Sequence, residues 1–146
     1  MASIVDLRPE ECRRLLRRSV LGRLALVVPP GRTELFPVNY LASEREFWLR
    51  TGRGTLLDRH ADDAEVVLEV DDIDPDRGTG WSLVARGRAV RAAEGPRTST
   101  GRLAPSPPRW VSRDELVWFR VPWRELTGRR LGAPVAPAGG PRGVAR

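Results

Sequence analysis

The chain has no lysine and no glutamine among its 146 residues, and it has only one cysteine and one histidine. The single cysteine, Cys12, excludes an internal disulfide, and the single histidine, His60, excludes a metal site that needs two histidines. No apolar run approaches the roughly 20 residues of a membrane-spanning helix, and residues 1–10 lack the apolar segment of a signal peptide. We therefore expect a cytoplasmic protein of one folded domain without a metal site.

All 25 basic side chains are arginines, which against 19 acids give a net charge of +6. A basic balance can indicate nucleic-acid binding. Here the arginines are scattered among acids and form no basic arm, so we do not expect nucleic acid to be the main partner. Because arginine also pairs well with phosphate groups, we attribute some of them to a small phosphorylated ligand.

The alternation of apolar and turn segments predicts a mainly β protein with two helices. A proline at the first position, acids in the first turn and an apolar stripe predict an N-terminal helix over residues 9–19. Further elements are a helical turn over residues 55–61 and strands over residues 22–28, 33–41, 46–51, 65–70, 81–90 and 115–121. Short strands at this spacing favour a barrel or a sandwich, and propensity alone leaves both open.

Turn residues set the predicted boundaries of these elements. The acidic stretch over residues 71–79 is predicted to be a solvated loop, because it lacks the glycine and final glutamate of a calcium-binding loop. Gly87 is expected to form a bulge or bend within its strand, and Pro122 is expected to end the last strand. The Pro/Gly/Ala-rich residues 132–146 are predicted to be disordered, which leaves residues 1–131 as the folded domain.

No catalytic triad is evident, and three other segments point to a ligand site. The first holds the only asparagine and the only tyrosine of the chain beside a proline that indicates a strand edge, and it comprises Pro37, Val38, Asn39 and Tyr40. The second runs from a strand into a helical turn, where guanidinium groups, hydroxyls and a helix start suit a phosphate; it comprises Arg50, Thr51, Arg53, Gly54 and Thr55. The third, Trp81 and Ser82, begins a strand after a flexible loop.

Taken in order, these and neighbouring segments resemble a known family. They are Glu10-Glu11-Cys12 with Leu15-Leu16, Gly22-Arg23-Leu24-Ala25, Phe36-Pro37-Val38-Asn39-Tyr40, Arg50-Thr51 with Gly54-Thr55, Glu69-Val70-Asp71, Asp74-Pro75 with Thr79-Gly80-Trp81-Ser82, Arg86-Gly87-Arg88-Ala89, and Leu126-Thr127-Gly128-Arg129-Arg130. The set covers about residues 6–131. It is similar to the pyridoxamine 5′-phosphate oxidase-like proteins of actinobacteria, a branch that includes relatives of nitroimidazole reductases.

The resemblance implies an FMN-binding split β-barrel that forms a homodimer, with the flavin in the cleft between subunits. It also implies the residues that contact FMN: Pro37, Val38, Asn39 and Tyr40 beside the isoalloxazine ring, Arg50 and Thr51 at the ribityl chain and phosphate, Gly54 and Thr55 at the phosphate, Trp81 and Ser82 across the dimer, and Arg129 at the C-terminal end of the site. The implied function is an FMN-dependent oxidoreductase of a small molecule, distinct from the true pyridoxamine phosphate oxidase. No catalytic residue is implied, because the flavin carries the electron chemistry.

One position departs from the family pattern. Relatives commonly carry a lysine directly after the Gly-Thr pair, where it faces the phosphate, and this chain has Leu56 there. We expect Arg53 to supply the missing charge. The sequence leaves other functions open, namely a deazaflavin in place of FMN, a flavin or haem carrier without turnover, and a family member that holds no cofactor.

Overall fold

The computed structural model describes residues 3–97 and 115–133, and all structural statements below concern these residues. Its elements in chain order are β1 (Ser3–Asp6), α1 (Pro9–Arg18), β2 (Leu21–Val28), β3 (Arg32–Ala42), β4 (Glu46–Gly52), α2 (Leu56–His60), β5 (Glu65–Asp74), β6 (Thr79–Arg88), β7 (Val90–Ala92) and β8 (Leu116–Ala133). The predicted mainly β class, with an N-terminal helix and a short connecting helix, is confirmed. Neither described helix has the length and apolar character needed to cross a membrane.

Six of the strands close into a ring in the order β8, β4, β3, β2, β5, β6 and back to β8, and every neighbouring pair is antiparallel. Two strands change partner along their length. β3 pairs with β2 through residues 32–39 and with β4 through residues 40–42. β8 pairs with β4 through residues 116–122 and with β6 through residues 123–131. These two corners divide the ring into two sheets, so the predicted split barrel is confirmed over the sandwich.

The core fills the barrel and continues under α1. Inward positions alternate along each strand, as for Phe47 and Leu49 on β4, which are fully buried. The apolar stripe of α1 covers one part of this core, and its buried members are Cys12, Leu15 and Leu16. The periodicity of the sequence therefore predicted which residues face inward.

The prediction of an acidic loop over residues 71–79 is wrong. β5 continues to Asp74 and β6 begins at Thr79, so only four residues turn between them. The register runs without interruption from Asp71 opposite Ser82 to Asp74 opposite Thr79. Aspartate is a poor strand former, but the cross-strand hydrogen bonds and an ion pair from Arg23 to Asp71 (3.3 Å) stabilise the extended backbone.

The predicted strand end at Pro122 is also wrong, because β8 continues through it to Ala133. Pro122 is the last residue that pairs with β4, and the missing N–H is tolerated because the ladder changes partner there. Opposite this corner the register of β6 shifts between Arg86 and Gly87, which confirms the predicted bulge. A side chain at Gly87 would collide with the Pro122 carbonyl oxygen, so glycine is required where the two strands meet.

Three further boundaries differ from the prediction. The strand expected over residues 81–90 is two strands, since β6 ends at Arg88 and β7 begins at Val90. β1 was not predicted, and it pairs with β8 from Ser3 opposite Ala133 to Asp6 opposite Arg129. The first two residues of the predicted disordered tail therefore belong to β8. Residues 134–146 and most of the predicted loop over residues 92–109 lie outside the described residues, so the domain division remains a prediction.

Candidate functional site

Strand alternation divides the first predicted segment between the two faces of β3. Val38 and Tyr40 point inward and are buried, whereas Pro37 is exposed and Asn39 is partly exposed. The Tyr40 hydroxyl donates a hydrogen bond of 2.7 Å to the Leu16 carbonyl near the end of α1. Burial raises the pKa of Tyr40 far above its ordinary value. The structure thus uses the inward pair for the core and leaves only the outward pair accessible to a ligand.

The outward residues lie on one continuous surface of the barrel. Pro37 is opposite Arg23, whose guanidinium binds Glu69 (2.8 Å) on the next strand. Ser82 on β6 pairs with Arg129 on β8. Neighbouring strands are about 4.8 Å apart, so Ser82 and Arg129 are adjacent on this outer face, whereas Pro37 lies three strands from Ser82, about 14 Å away.

A cavity of about 700 Å³ opens on this face between β6, β8 and the segment before α1. Its lining includes Leu7, Ser82, Val84, Arg86, Thr127 and Arg129. Among the described residues, the two arginines form long ion pairs, Arg86 with Glu125 and Arg129 with Asp6, each at 3.9 Å. Apolar side chains beside guanidinium groups and hydroxyls suit a ligand with a flat apolar part and an anionic chain.

Trp81 does not share this cavity with its neighbour Ser82. It lies on the opposite face of β6 and lines a second cavity of about 380 Å³ together with Asp72 and Asp74. Arg130 also lines that cavity and donates a hydrogen bond of 3.0 Å to Glu11 on α1. In the described residues no group of three or more His, Cys, Asp or Glu side chains is arranged to hold a metal ion.

The second predicted segment forms a tight turn between β4 and α2. Thr55 is the N-cap of α2, and its hydroxyl oxygen accepts a hydrogen bond from the Asp58 N–H (3.2 Å). The same hydroxyl donates to the Gly52 carbonyl (2.9 Å), so the Thr51 hydroxyl, 2.8 Å away, is the donor of their mutual bond. Gly54 has a φ of +81°, a conformation that favours glycine. The structure brings Thr51, Gly54 and Thr55 into one hydrogen-bonded unit.

Asp58 is a member of this turn that the sequence reasoning missed. Its carboxylate accepts a hydrogen bond of 2.7 Å from the Gly54 N–H and one of 2.8 Å from Arg91 on β7. Arg91 also donates to the Asp58 carbonyl (2.5 Å), and its guanidinium lies 5.0 Å from the centre of the Phe119 ring. The Gly54 bond, followed by those from Arg91, lowers the pKa of Asp58. The spacing from Thr55 to Asp58 is that of a capping box, which is the signal that could have revealed it.

The arginines of this segment point in different directions. Arg50 lies on the outer face of β4, with its guanidinium 5.9 Å from the centre of the Trp118 ring. Arg53 is exposed in the turn, and its backbone N–H donates to the Glu115 carbonyl (2.7 Å). Tyr40 on β3 pairs with Leu49 on β4. Asn39 comes directly before Tyr40 and Arg50 directly after Leu49, so both lie beside this pair, at the point where β3 and β4 separate.

The turn does not contribute to the outer cavity. The end of β4 at Gly52 pairs with Leu116 in one sheet, and Ser82 at the cavity pairs with Arg129 in the other. Among the described residues, none from the turn lines the cavity. Within one copy, the cavity therefore contains Ser82 and Arg129 without the predicted phosphate residues.

Comparisons with known proteins agree with this architecture. A sequence profile of the family described as Pyridoxamine 5′-phosphate oxidase matches residues 8–130. A protein from Mycobacterium smegmatis, described as the FAD binding protein, is 30% identical, with a TM-score of 0.67 over 88% of this chain and 98% of its own. A search of curated proteins gives no significant match.

Two more distant structures share the fold. A second Mycobacterium smegmatis protein, described as the FAD and haem binding protein, is 14% identical, with a TM-score of 0.64 over 92% of this chain and 76% of its own. A Bacteroides thetaiotaomicron protein named for 5-nitroimidazole antibiotic resistance is 10% identical, with a TM-score of 0.62 over 90% of each chain. The profile match spans most of the sequence, and the barrel agrees with it: the chain belongs to the pyridoxamine 5′-phosphate oxidase-like family.

Proposed function

We propose that the protein binds a flavin nucleotide between two copies of the chain, with FMN as the first candidate. We propose further that it uses this flavin to oxidise or reduce a small molecule in the cytoplasm. The observation that carries this proposal is the outer cavity of about 700 Å³ that contains both Ser82 and Arg129. Its volume falls within the roughly 300–1,000 Å³ of small-molecule sites. The 30% identical relative described as FAD-binding supports the choice of a flavin.

The residues of the cavity fit the chemistry of a flavin nucleotide. Val84 offers apolar surface to a ring system, and the hydroxyls of Ser82 and Thr127 offer hydrogen bonds to its polar edge. Arg129 offers a guanidinium to the anionic chain. When bound, the flavin supplies the electron chemistry, and these side chains bind and orient it.

A dimer is supported by the apolar outer face of β2 and β3. Leu21, Val27 and Leu35 are each about 60% exposed there, and exposed apolar patches on a folded protein mark partner surfaces. A symmetric dimer uses the same patch twice, and it would allow the β4–α2 turn of one copy to face the outer cavity of the other. Light scattering at micromolar concentration is expected to give twice the mass of one chain, and Leu35→Arg is expected to give a monomer with little flavin affinity. A monomeric wild-type protein would contradict both the dimer and this shared site.

The flavin is tested on the purified protein. Mass spectrometry of small molecules released on denaturation identifies any bound ligand, and fluorescence titration compares FMN, FAD, riboflavin and a deazaflavin. Arg129→Ala is expected to weaken FMN binding by about tenfold, or 1.4 kcal/mol. The matched control is Arg18→Ala, which removes an exposed arginine of α1 that lies outside the cavity. Equal FMN affinity in both variants would remove Arg129 from the site.

The redox function needs a separate measurement. Flavin-loaded protein is mixed anaerobically with NADH or NADPH, and flavin absorbance is followed before and after a nitroimidazole acceptor is added. Bleaching and recovery over repeated cycles support the oxidoreductase. Stable flavin binding without either change would favour a carrier, and a protein that binds haem alone or no ligand at all would refute the proposal.

A further inference from the structure

We propose that the cavity of about 380 Å³ beside Trp81 is a second binding site, which takes a small, flat organic cation. Its volume lies within the roughly 300–1,000 Å³ of small-molecule sites. Among residues 3–97 and 115–133, none lines both this cavity and the outer cavity that contains Ser82 and Arg129. The inference therefore goes beyond the proposed flavin site and does not depend on it.

Three neighbouring strands place the lining side chains on one face. Asp72 on β5 is directly opposite Trp81 on β6, and Trp81 is opposite Arg130 on β8. Asp74 and Thr79 form the next pair on the same face, because side chains two residues apart on a strand point the same way. Trp81 thus occupies the middle of a row, with β5 and β8 about 4.8 Å away on either side.

Asp72 is the acid of this cavity whose charge the described residues do not balance. Asp74 pairs with Arg77 (3.4 Å) and accepts two backbone N–H bonds of 3.1 Å. The Asp72 carboxylate, in contrast, receives neither a hydrogen bond nor an ion pair from any residue that the structure describes. A ligand cation could therefore bind Asp72 without displacing a partner from within the described chain.

The guanidinium in the cavity wall already has a counter-ion. Arg130 donates a hydrogen bond of 3.0 Å to Glu11 on α1, and this bond is the main reason why the pKa of Glu11 is lowered. Glu11 is therefore ionised at neutral pH and balances Arg130. Arg8, which lies 3.8 Å from Glu11, is 75% exposed and does not line the cavity, so water screens its charge. Asp72 thus sets the sign of the local charge, and a cation is favoured over an anion.

The Trp81 ring supplies the second element of recognition. The side chain is half-buried. Within the described part of the chain, its indole has no stacked ring, no cation over its face and no hydrogen-bond acceptor. Tryptophan attracts cations more strongly than the other aromatic side chains do. A cation that pairs with Asp72 lies within reach of this ring on the neighbouring strand, so both contacts favour the same ligand.

The test uses three probes of similar shape and different charge, namely benzamidine, benzamide and benzoate. Calorimetric titration of the full chain at pH 7 and low salt is expected to show benzamidine binding at least tenfold tighter than benzamide, and no binding of benzoate. Asp72→Asn keeps the shape of the side chain and removes its charge. It is expected to weaken benzamidine binding at least tenfold and to leave benzamide binding unchanged. Asp71→Asn is the matched control, because Asp71 lies on the other face of β5 and pairs with Arg23 (3.3 Å), and it is expected to change neither.

A second variant, Trp81→Leu, removes the ring and is expected to weaken benzamidine binding about fivefold, and the melting temperature of each variant reports its folding. Equal affinity of the wild type for benzamidine and benzamide would overturn the inference. Unchanged benzamidine affinity in a folded Asp72→Asn protein would do the same. Complete displacement of benzamidine by FMN would place Trp81 in the flavin site and would also overturn a separate cation site.

Discussion

Replacing Tyr40 by phenylalanine separates a structural role from a ligand-binding role for this residue. Its side chain is 1% exposed, and its hydroxyl donates to the Leu16 carbonyl at 2.7 Å. Phenylalanine keeps the ring contact with Phe47, whose centre is 6.4 Å away, but leaves the carbonyl without that donor. We expect Tyr40→Phe to lower the free energy of unfolding by about 1–3 kcal/mol at pH 8, with little effect on flavin affinity.

The pH dependence of this loss follows from the pKa of Tyr40. Burial raises the pKa in the folded state, while the unfolded chain releases the proton near the ordinary value of 10. Above pH 10 the folded state thus binds more protons than the unfolded state, and the wild type loses stability by up to about 1.4 kcal/mol per pH unit. Phenylalanine has no such proton. The difference in free energy of unfolding between the wild type and Tyr40→Phe is therefore expected to shrink by about 1.4 kcal/mol between pH 8 and pH 11.

The assay is urea denaturation of both proteins at pH 8, 10 and 11, followed by the fluorescence of the five tryptophans. Comparing the two proteins at each pH cancels the titration of groups that they share. A difference that stays constant from pH 8 to pH 11 would show that the Tyr40 hydroxyl reaches water in the folded state. Unchanged stability with weakened flavin binding would instead make Tyr40 a ligand residue.

Three further predictions concern the phosphate, the barrel corner and the chain end. Arg53→Ala is expected to weaken FMN binding roughly tenfold and to leave riboflavin binding unchanged, and Leu56→Lys is expected to strengthen FMN binding. Titration with both ligands checks this, and equal FMN affinity in the wild type and Arg53→Ala would exclude Arg53 from the phosphate site. Gly87→Ala is expected to lower the free energy of unfolding by about 1–3 kcal/mol, because its Cβ would collide with the Pro122 carbonyl; an unchanged melting temperature contradicts this. Deleting residues 134–146 is expected to change neither melting temperature nor flavin content, and a large loss of either would show that they dock.

The strand centres could be predicted from the sequence because their signal is local. Alternating apolar residues mark Phe47 and Leu49 as inward positions, and both are fully buried. The errors occur where pairing with a distant strand overrides local propensity. Asp71 remains in β5 because Ser82 is opposite it, and Pro122 remains in β8 because the ladder passes from β4 to β6 at that residue.

The candidate site was less predictable for the same reason. Asp58 depends on Arg91, which lies 33 residues later in the chain and on β7, a strand that the sequence did not separate from β6. The outer cavity depends on β1 and the segment before α1 lying beside β6 and β8. Neither contact has a local pattern, so the sequence named Ser82 and Arg129 without predicting the cavity that they share.

Strand geometry also limits how far a resemblance assigns function. A family motif on a strand is a run of consecutive residues, but consecutive side chains point to opposite faces. In the run that ends at Tyr40, the fold sends Val38 and Tyr40 into the core and leaves Pro37 and Asn39 outside. The inward members still identify the fold, because they fill the barrel. Only the outward members can contact a ligand directly, so half of such a motif supports the architecture and the other half the binding site.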